Sequence, residues 1–286
     1  MAVPPAFLFL SLRTASNAAA DQSPKTGGRK PLGNIMPGRK ETIETDVKIS
    51  PPGGCLPPAD AYALWAQTYD SDPNPLLALE ERELLPLLPR LEGAFVLDIA
   101  CGTGRWLNLL LARGARHGVG FDLSHEMLGQ ARRKQALRES LLRADCTAIP
   151  VATGVTDLAI CSFAASYVAD LSLLSCELSR VLKKGGRLIL TDFHPSGLER
   201  GWRRTFRYNG EVVEIVNFKF SLDQLCRTFR EQRFELDQMI CPSFGEAERP
   251  IFRRCGKERL LEQSQAGPAI FISSFRLAST DLPGNR

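Results

Sequence analysis

Three acidic residues, Asp98, Asp122 and Asp145, each stand at the end of an apolar run, and the first leads into a turn of small residues. The run VLDIACGTGRW (residues 96–106) reads as a strand, a glycine-bent loop and a helix N-terminus. Gly102 and Gly104 let backbone N–H groups approach a ligand that a Cβ would hold off. The free amides and dipole at the start of the next helix favour negative charge. Asp122, in GVGFDLS, comes 24 residues after Asp98. At the end of the second strand of a doubly wound sheet, an acid reaches the ribose hydroxyls of a bound nucleoside. Met127 suits either an adenine face or the core. Asp145 and the amide of Cys146, in LLRADCTAIP, suit the adenine edge, or Asp145 caps its own loop.

Two kinds of ligand fit this array. A dinucleotide asks for a third small residue three positions after Gly104, and Leu107 stands there instead. A nucleoside joined to an amino acid needs acids at the ends of successive strands and no pyrophosphate cradle. The chain favours the second ligand and places a nicotinamide oxidoreductase last.

The elements that must position these residues alternate. Apolar runs predict strands at 94–99, 116–121, 141–144, 156–162 and 186–192, with helices at 104–113, 124–138 and 170–182. Near-continuous apolar strands belong to a parallel sheet covered on both faces. Upstream, ALWAQTYD (63–70) and PLLALEERELLPLLPRL (75–91) are helical in pattern, the second broken by Pro86 and Pro89. LKKGG (182–186) reads as a helix stop with glycines for a left-handed cap. Asn209-Gly210 predicts a hairpin turn, and a helix at 221–232 with strands at 233–240 and 268–276 completes the sheet. The fold class is therefore α/β: a three-layer, Rossmann-like, seven-stranded and mostly parallel sheet with an antiparallel last strand.

The 286 residues are 44% hydrophobic and 24% charged, enough for a sizeable core. Of the net charge of +4, residues 1–58 hold seven Lys/Arg against four Asp/Glu (+3), which leaves the remainder at +1. A near-neutral domain argues against an extended nucleic-acid surface. Eight cysteines form no CxxC pair and no His/Cys cluster, so neither a metal site nor a disulfide framework is expected, and the compartment is expected to be reducing and cytoplasmic. No run reaches the length of a membrane span. Residues 1–58 are expected to be a disordered or targeting-like extension, since they are rich in Pro, Gly and basic residues and no Lys or Arg precedes the apolar start. A domain at 59–286 is expected to divide into cap helices (59–93), a ligand-binding core (94–193) and a segment with the last strands (194–286).

VLDIACGTGR, GFDLSHEML, ADCTAIP and LSRVLKKGGRLILTDF, in that order, resemble class I S-adenosylmethionine-dependent methyltransferases of the ubiquinone/menaquinone and malonyl-carrier group. The resemblance is firm over residues 60–193 and loose over 194–276; Ala100 departs from the family's usual first loop glycine. It implies S-adenosylmethionine as cofactor and an oxygen or carbon of a small molecule as acceptor. Neither nucleic acid nor membrane is an expected partner. The alternatives are an RNA or protein methyltransferase, or a nucleoside-binding scaffold without catalysis.

Residue by residue, the resemblance implies that Ala100, Gly102 and Gly104 shape the loop beside the methionine portion, with Asp98 orienting that loop or the amine. It gives Asp122 to the ribose and Met127, Asp145 and Cys146 to the adenine, with Leu123 also binding the cofactor. Cys161, Ser162 and Phe163 would face the sulfonium, with Trp65 and Tyr69 as a lid over it and Tyr167 on the acceptor side. An aromatic face attracts a cation, although Trp65 and Tyr69 also read as a packing face. His194, in LTDFHP, is the best-placed general base if the acceptor must lose a proton, or else it caps its loop. Arg203 and Arg204, in a run of arginines with Trp202 and Phe206, suit an anionic acceptor or a solvated edge.

Overall fold

The computed structural model describes residues 54–279. A two-residue strand β1 (Cys55–Leu56) and helices α1 (Pro58–Trp65) and α2 (Pro75–Leu84) precede the alternating core. The core runs β2 (Phe95–Ile99), α3 (Arg105–Ala112), β3 (His117–Asp122), α4 (His125–Ala131), β4 (Leu141–Arg143), β5 (Thr156–Ser162), α5 (Leu171–Val181) and β6 (Leu182–Phe193). Beyond it come α6 (Pro195–Glu199), β7 (Thr205–Tyr208), β8 (Glu211–Ile215), α7 (Leu222–Glu231), β9 (Phe234–Ile240), α8 (Arg249–Arg254), α9 (Glu258–Ser264) and β10 (Ile270–Leu277).

Seven of these strands form one sheet in the order β4-β3-β2-β5-β6-β10-β9. From β4 to β6 all neighbours are parallel, and β10 is antiparallel to both β6 and β9. The fold class matches the expected one, and the chain's last strand lies inside the sheet with β9 at its edge. Strand order reverses between β2 and β5, the switch point where open α/β sheets bind ligands beyond the strand ends.

Successive side chains alternate between two cores. Val96, Leu158, Ile160 and Ile189 pack with Leu107 and Leu110 of α3 and Leu84 of α2. Leu97, Ile99, Ala159 and Leu190 pack on the other face with Leu174 and Leu178 of α5 and Phe229 of α7. A second small sheet, β1-β8-β7, joins α1 in a separate cluster of Ala61, Trp65, Phe206, Val213 and Ile215. Asn209 and Gly210 turn its hairpin with φ of 49° and 86°, as the dipeptide predicts.

Three details differ from the sequence reading. The fold begins before residue 59, because Cys55 and Leu56 pair with Glu214 and Ile215 of β8 and Pro58 opens α1; residues 1–53 lie outside the described residues. The helix expected over 124–138 ends at Ala131, because the chain turns there so that Lys134 reaches the carbonyl of Thr103 and Leu137 enters the core. Helix α5 stops at Val181, with Leu182 already extended, so Gly185 serves the start of β6 rather than a helix cap.

Leu107 explains how this sheet accommodates a bulky residue on its first core helix. A Cβ added to Gly118 of β3 would lie 2.6 Å from Leu107 Cδ1 and 2.9 Å from Val96 Cγ2. The small partner that close helix–strand packing requires sits on the strand instead of the helix. Gly118→Ala is therefore expected to lower the unfolding free energy by about 1–3 kcal/mol through overpacking. Adding Leu107→Ala should recover part of that loss in a double-mutant cycle of denaturant unfolding, whereas strictly additive losses would contradict the contact.

Candidate active site

The glycine loop is built at the carboxyl end of β2. Ala100 adopts φ +51°, a left-handed conformation that costs an alanine about 1–2 kcal/mol. Gly104 caps α3 at φ +75°, and a Cβ there would lie 2.4 Å from Leu137 Cδ1. Asp98, 2% exposed, accepts the Leu107 N–H at 2.9 Å and so fixes the first turn of α3 against β2. Burial pushes its carboxyl up to about 7, opposed by that hydrogen bond and by Arg105.

Asp122 ends β3 and is tied to the loop from two sides. Its Oδ2 accepts the Gly102 N–H at 2.8 Å, and its Oδ1 accepts the Ser124 N–H at 2.8 Å. Burial raises its pKa, and the hydrogen bonds from Ser124, Gly102 and Leu123 work against that. Asp145 Oδ1 accepts from the amide and hydroxyl of Thr147, each at 2.8 Å, which holds its own turn.

These residues line one cleft of about 490 Å³, within the roughly 300–1,000 Å³ usual for small-molecule sites. Its walls include Tyr69, Asp98, Ala100, Gly102, Asp122, Leu123, Met127, Asp145 and Cys146, together with Ser162, Phe163 and Tyr167. A smaller aromatic cavity adjoins it, sharing Tyr62, Tyr69, Phe163 and Tyr167 and adding Trp65, Phe193 and Arg204. Trp65 stacks on Phe206 with ring centroids 5.1 Å apart, and its indole N–H donates to Asp72 at 2.9 Å. The Tyr62 and Tyr167 hydroxyls lie 2.9 Å apart. Phe163 adopts φ +54°, so a bulky side chain is held in a strained backbone between the two cavities.

The structure separates several candidates from the cleft. Cys161 is buried within β5 and lines neither cavity, while Gly104 acts by capping α3. His194 also lies outside both linings: it caps α6, its Nδ1 lying 2.8 Å from Ser196 Oγ and accepting the Ser196 N–H. The loop-capping role expected as its alternative is the one the geometry supports. Arg203 lies outside as well, beside Glu214 at 3.7 Å. Arg204 reaches the aromatic cavity but is ion-paired with Asp192, both nearly fully buried, and its guanidinium lies 4.2 Å from the Phe193 ring centroid.

Sequence reasoning missed Tyr62, Arg105 and Trp106 in the cleft wall and Glu80 behind it. Glu80, from α2, is fully buried and accepts from Arg105 Nη2, Trp106 Nε1 (3.1 Å), Ser162 Oγ (2.7 Å) and Thr191 Oγ1. The signal for it was thin, because an acid in PLLALEEREL reads as a solvated helix face.

The chain is similar to known proteins in sequence and in fold. A family described as a methyltransferase domain matches residues 97–190, the glycine loop through β6. The chain is 30% identical over 189 residues to the malonyl-[acyl-carrier protein] O-methyltransferase of Pectobacterium atrosepticum, spanning 64% of this chain and 71% of that one. It is 30% identical over 198 residues to the biotin biosynthesis bifunctional protein BioHC of Cellvibrio japonicus, of which it spans 37%, and it spans 49% of a Legionella pneumophila malonyl-[acyl-carrier protein] O-methyltransferase. In fold it is similar to a putative S-adenosylmethionine-dependent methyltransferase from Listeria monocytogenes, at TM-score 0.57 and 20% identity, covering 70% of this chain and 99% of that one. On the glycine loop, the strand-end acids and these matches, the chain belongs to the class I S-adenosylmethionine-dependent methyltransferases.

Proposed function

We propose that the chain transfers the methyl group of S-adenosylmethionine to a small-molecule acceptor, and that the accepting atom is a carboxylate oxygen. The cleft suits the donor in three parts. Asp122 retains lone pairs beside the Gly102 and Ser124 amides for two ribose hydroxyls. Met127, Leu123 and the turn at Asp145–Thr147 offer an apolar slot and polar edge for the adenine. Asp98 supplies an acid at the glycine loop for the amino-acid ammonium. When bound, the donor supplies a methyl carbon on a cationic sulfur, and the aromatic rings of Tyr62, Tyr69 and Phe163 face the region where that cation would lie.

The observation that carries the acceptor is the chemistry of the smaller cavity. Among the described residues, no histidine and no carboxylate lines it. Burial holds the Tyr62 and Tyr69 hydroxyls above their usual range, so they remain protonated and donate. A phenol, alcohol or carbon acid would have to lose a proton with no group in place to take it. A carboxylate arrives with its nucleophilic lone pair free. The new bond forms from carboxylate oxygen to methyl carbon, the carbon–sulfur bond breaks, its electron pair stays on sulfur, and no proton moves. Positioning and exclusion of water then carry the acceleration. Relatives named as malonyl O-methyltransferases support the same reading. All eight cysteines are free, in keeping with the reducing, cytoplasmic setting proposed here.

Three outcomes are expected. Methyl label transferred by the protein to a fraction of cell extract should be released as methanol by mild alkali, the mark of a methyl ester; alkali-stable label would refute a carboxylate acceptor. His194→Ala should keep the transfer rate within about twofold of wild type, since it lies outside the site; a loss of a hundredfold would restore it as a base. The third concerns pH. Asp98 rises from 3.8 to about 7 on folding, so its contribution to apo stability is full below about pH 4 and is lost as pH rises through 7. Pairing with an ammonium needs the charged form, so S-adenosylhomocysteine should raise Tm more at pH 8 than at pH 6. Asp98→Asn should flatten that difference, and an equal pH dependence in the variant would remove Asp98 from the amine site.

A further inference from the structure

Asn74 lines the aromatic cavity and stands between Pro73 and Pro75 as the N-cap of α2. Its Oδ1 accepts the Leu76 N–H at 3.0 Å. Only the oxygen of an amide can meet an N–H, so this bond also fixes where Nδ2 stands. Nδ2 carries two N–H donors, and no acceptor among the described residues takes them. The backbone holds the group in place. Asn74 is extended before Pro75 (φ −123°, ψ 107°), and the Pro73 carbonyl accepts the Cys255 thiol at 3.3 Å.

Two tyrosines of the same wall add a further donor. The Tyr62 and Tyr167 hydroxyls share one hydrogen bond at 2.9 Å, and each brings one O–H. Whichever of them donates, one O–H is left over. Arg204 is already engaged: Nη1 donates to the Phe163 carbonyl (3.3 Å) and the Tyr167 hydroxyl (3.2 Å), and Nη2 faces Asp192. The cavity measures about 20 Å³, space for roughly one or two waters. That is the size of a carboxylate head, not of a ring or a chain.

We infer that Asn74 is a specificity residue for the acceptor: its Nδ2 and the left-over tyrosine O–H hold one oxygen of a small carboxylate head, while the other oxygen faces the cleft. This rests on the carboxylate acceptor proposed above. Tyr62 and Tyr167 border both cavities, so they set the head at the junction where the methyl group would arrive. Two N–H donors in a fixed direction favour the anion over the corresponding amide, whose own N–H groups would meet donor against donor.

The test titrates the full chain, saturated with S-adenosylhomocysteine, with acetate and with acetamide, its neutral counterpart, followed by saturation-transfer NMR. Wild type should bind acetate with Kd on the order of millimolar and acetamide about tenfold more weakly. Asn74→Asp keeps an N-cap of equal quality and puts an acceptor where the donors stood. It should weaken acetate by about 10- to 100-fold while Tm is unchanged and S-adenosylhomocysteine affinity stays within about twofold. Asn74→Ser, which also caps a helix, covers the case in which the added carboxylate disturbs folding, and should weaken acetate by about tenfold. Acetate bound equally by wild type and by folded Asn74 variants would remove Asn74 from the acceptor site. Acetate and acetamide bound alike by wild type, or neither bound, would overturn the carboxylate slot itself. Alkali-stable methyl label in the extract assay overturns the carboxylate reading, and this inference with it.

Discussion

The carboxylate of Glu80 is the constraint on which the upper half of this molecule depends. Moving an isolated carboxylate from water into a protein interior costs several kcal/mol unless its lone pairs are filled. Here they are filled by donors from three separate elements: Arg105 and Trp106 of α3, Ser162 of β5 and Thr191 of β6. Helix α2 can satisfy Glu80 in one position only. That position sets Leu76 and Leu77 of α2 into the wall of the aromatic cavity, while the other ends of the same hydrogen bonds set Arg105 and Ser162 into the cofactor-sized cleft. One buried carboxylate thus registers the wall of the aromatic cavity against the wall of the cleft.

A related economy governs the strand ends. Ala100 and Phe163 hold left-handed backbone conformations at the carboxyl ends of β2 and β5, the two strands that flank the switch point. Such strain persists only where the surroundings fix it. The Cys101 N–H bonded to the Phe121 carbonyl (2.9 Å) and the Phe163 N–H bonded to the Thr191 carbonyl (2.9 Å) supply that fixing. The chain bends away from the sheet at both places at once and leaves the gap that becomes the cleft.

The parts legible from sequence were those in which a side chain's role follows from a backbone pattern. Asp98, Asp122 and Asp145 end apolar runs, and Gly102 and Gly104 sit where a strand must turn into a helix, so pattern and place coincide. Glu80 and Arg105 were not legible, because an acid on an amphipathic helix and an arginine at a helix start have the same local signature whether solvated or buried. Only the tertiary meeting of α2 with α3 decides. His194 lies away from both cavities for the opposite reason: its chemistry was visible and its orientation was not, and the nearby Ser196 amide and hydroxyl claim its ring. The helix expected through residue 138 failed because Lys134 leaves the helical path to bridge Asp70 and the Thr103 carbonyl.

The charge in the aromatic cavity bears on how an acceptor would be held under the proposed reading. Arg204 is 4% exposed, and its guanidinium is balanced by Asp192, which also accepts the Ser166 N–H at 2.9 Å. A matched buried pair contributes little net attraction at a distance and much geometric definition at contact. An anionic acceptor would therefore gain little from long-range capture there. Its orientation would come from close polar edges: the Arg204 guanidinium set over the Tyr167 and Phe193 rings, and the paired hydroxyls of Tyr62 and Tyr167. Under that reading, such edges would align an oxygen without binding the ground state so tightly that the gain in the transition state is lost. The neutralised arginine and the missing base then have one explanation: the acceptor brings the charge, and the protein supplies the alignment.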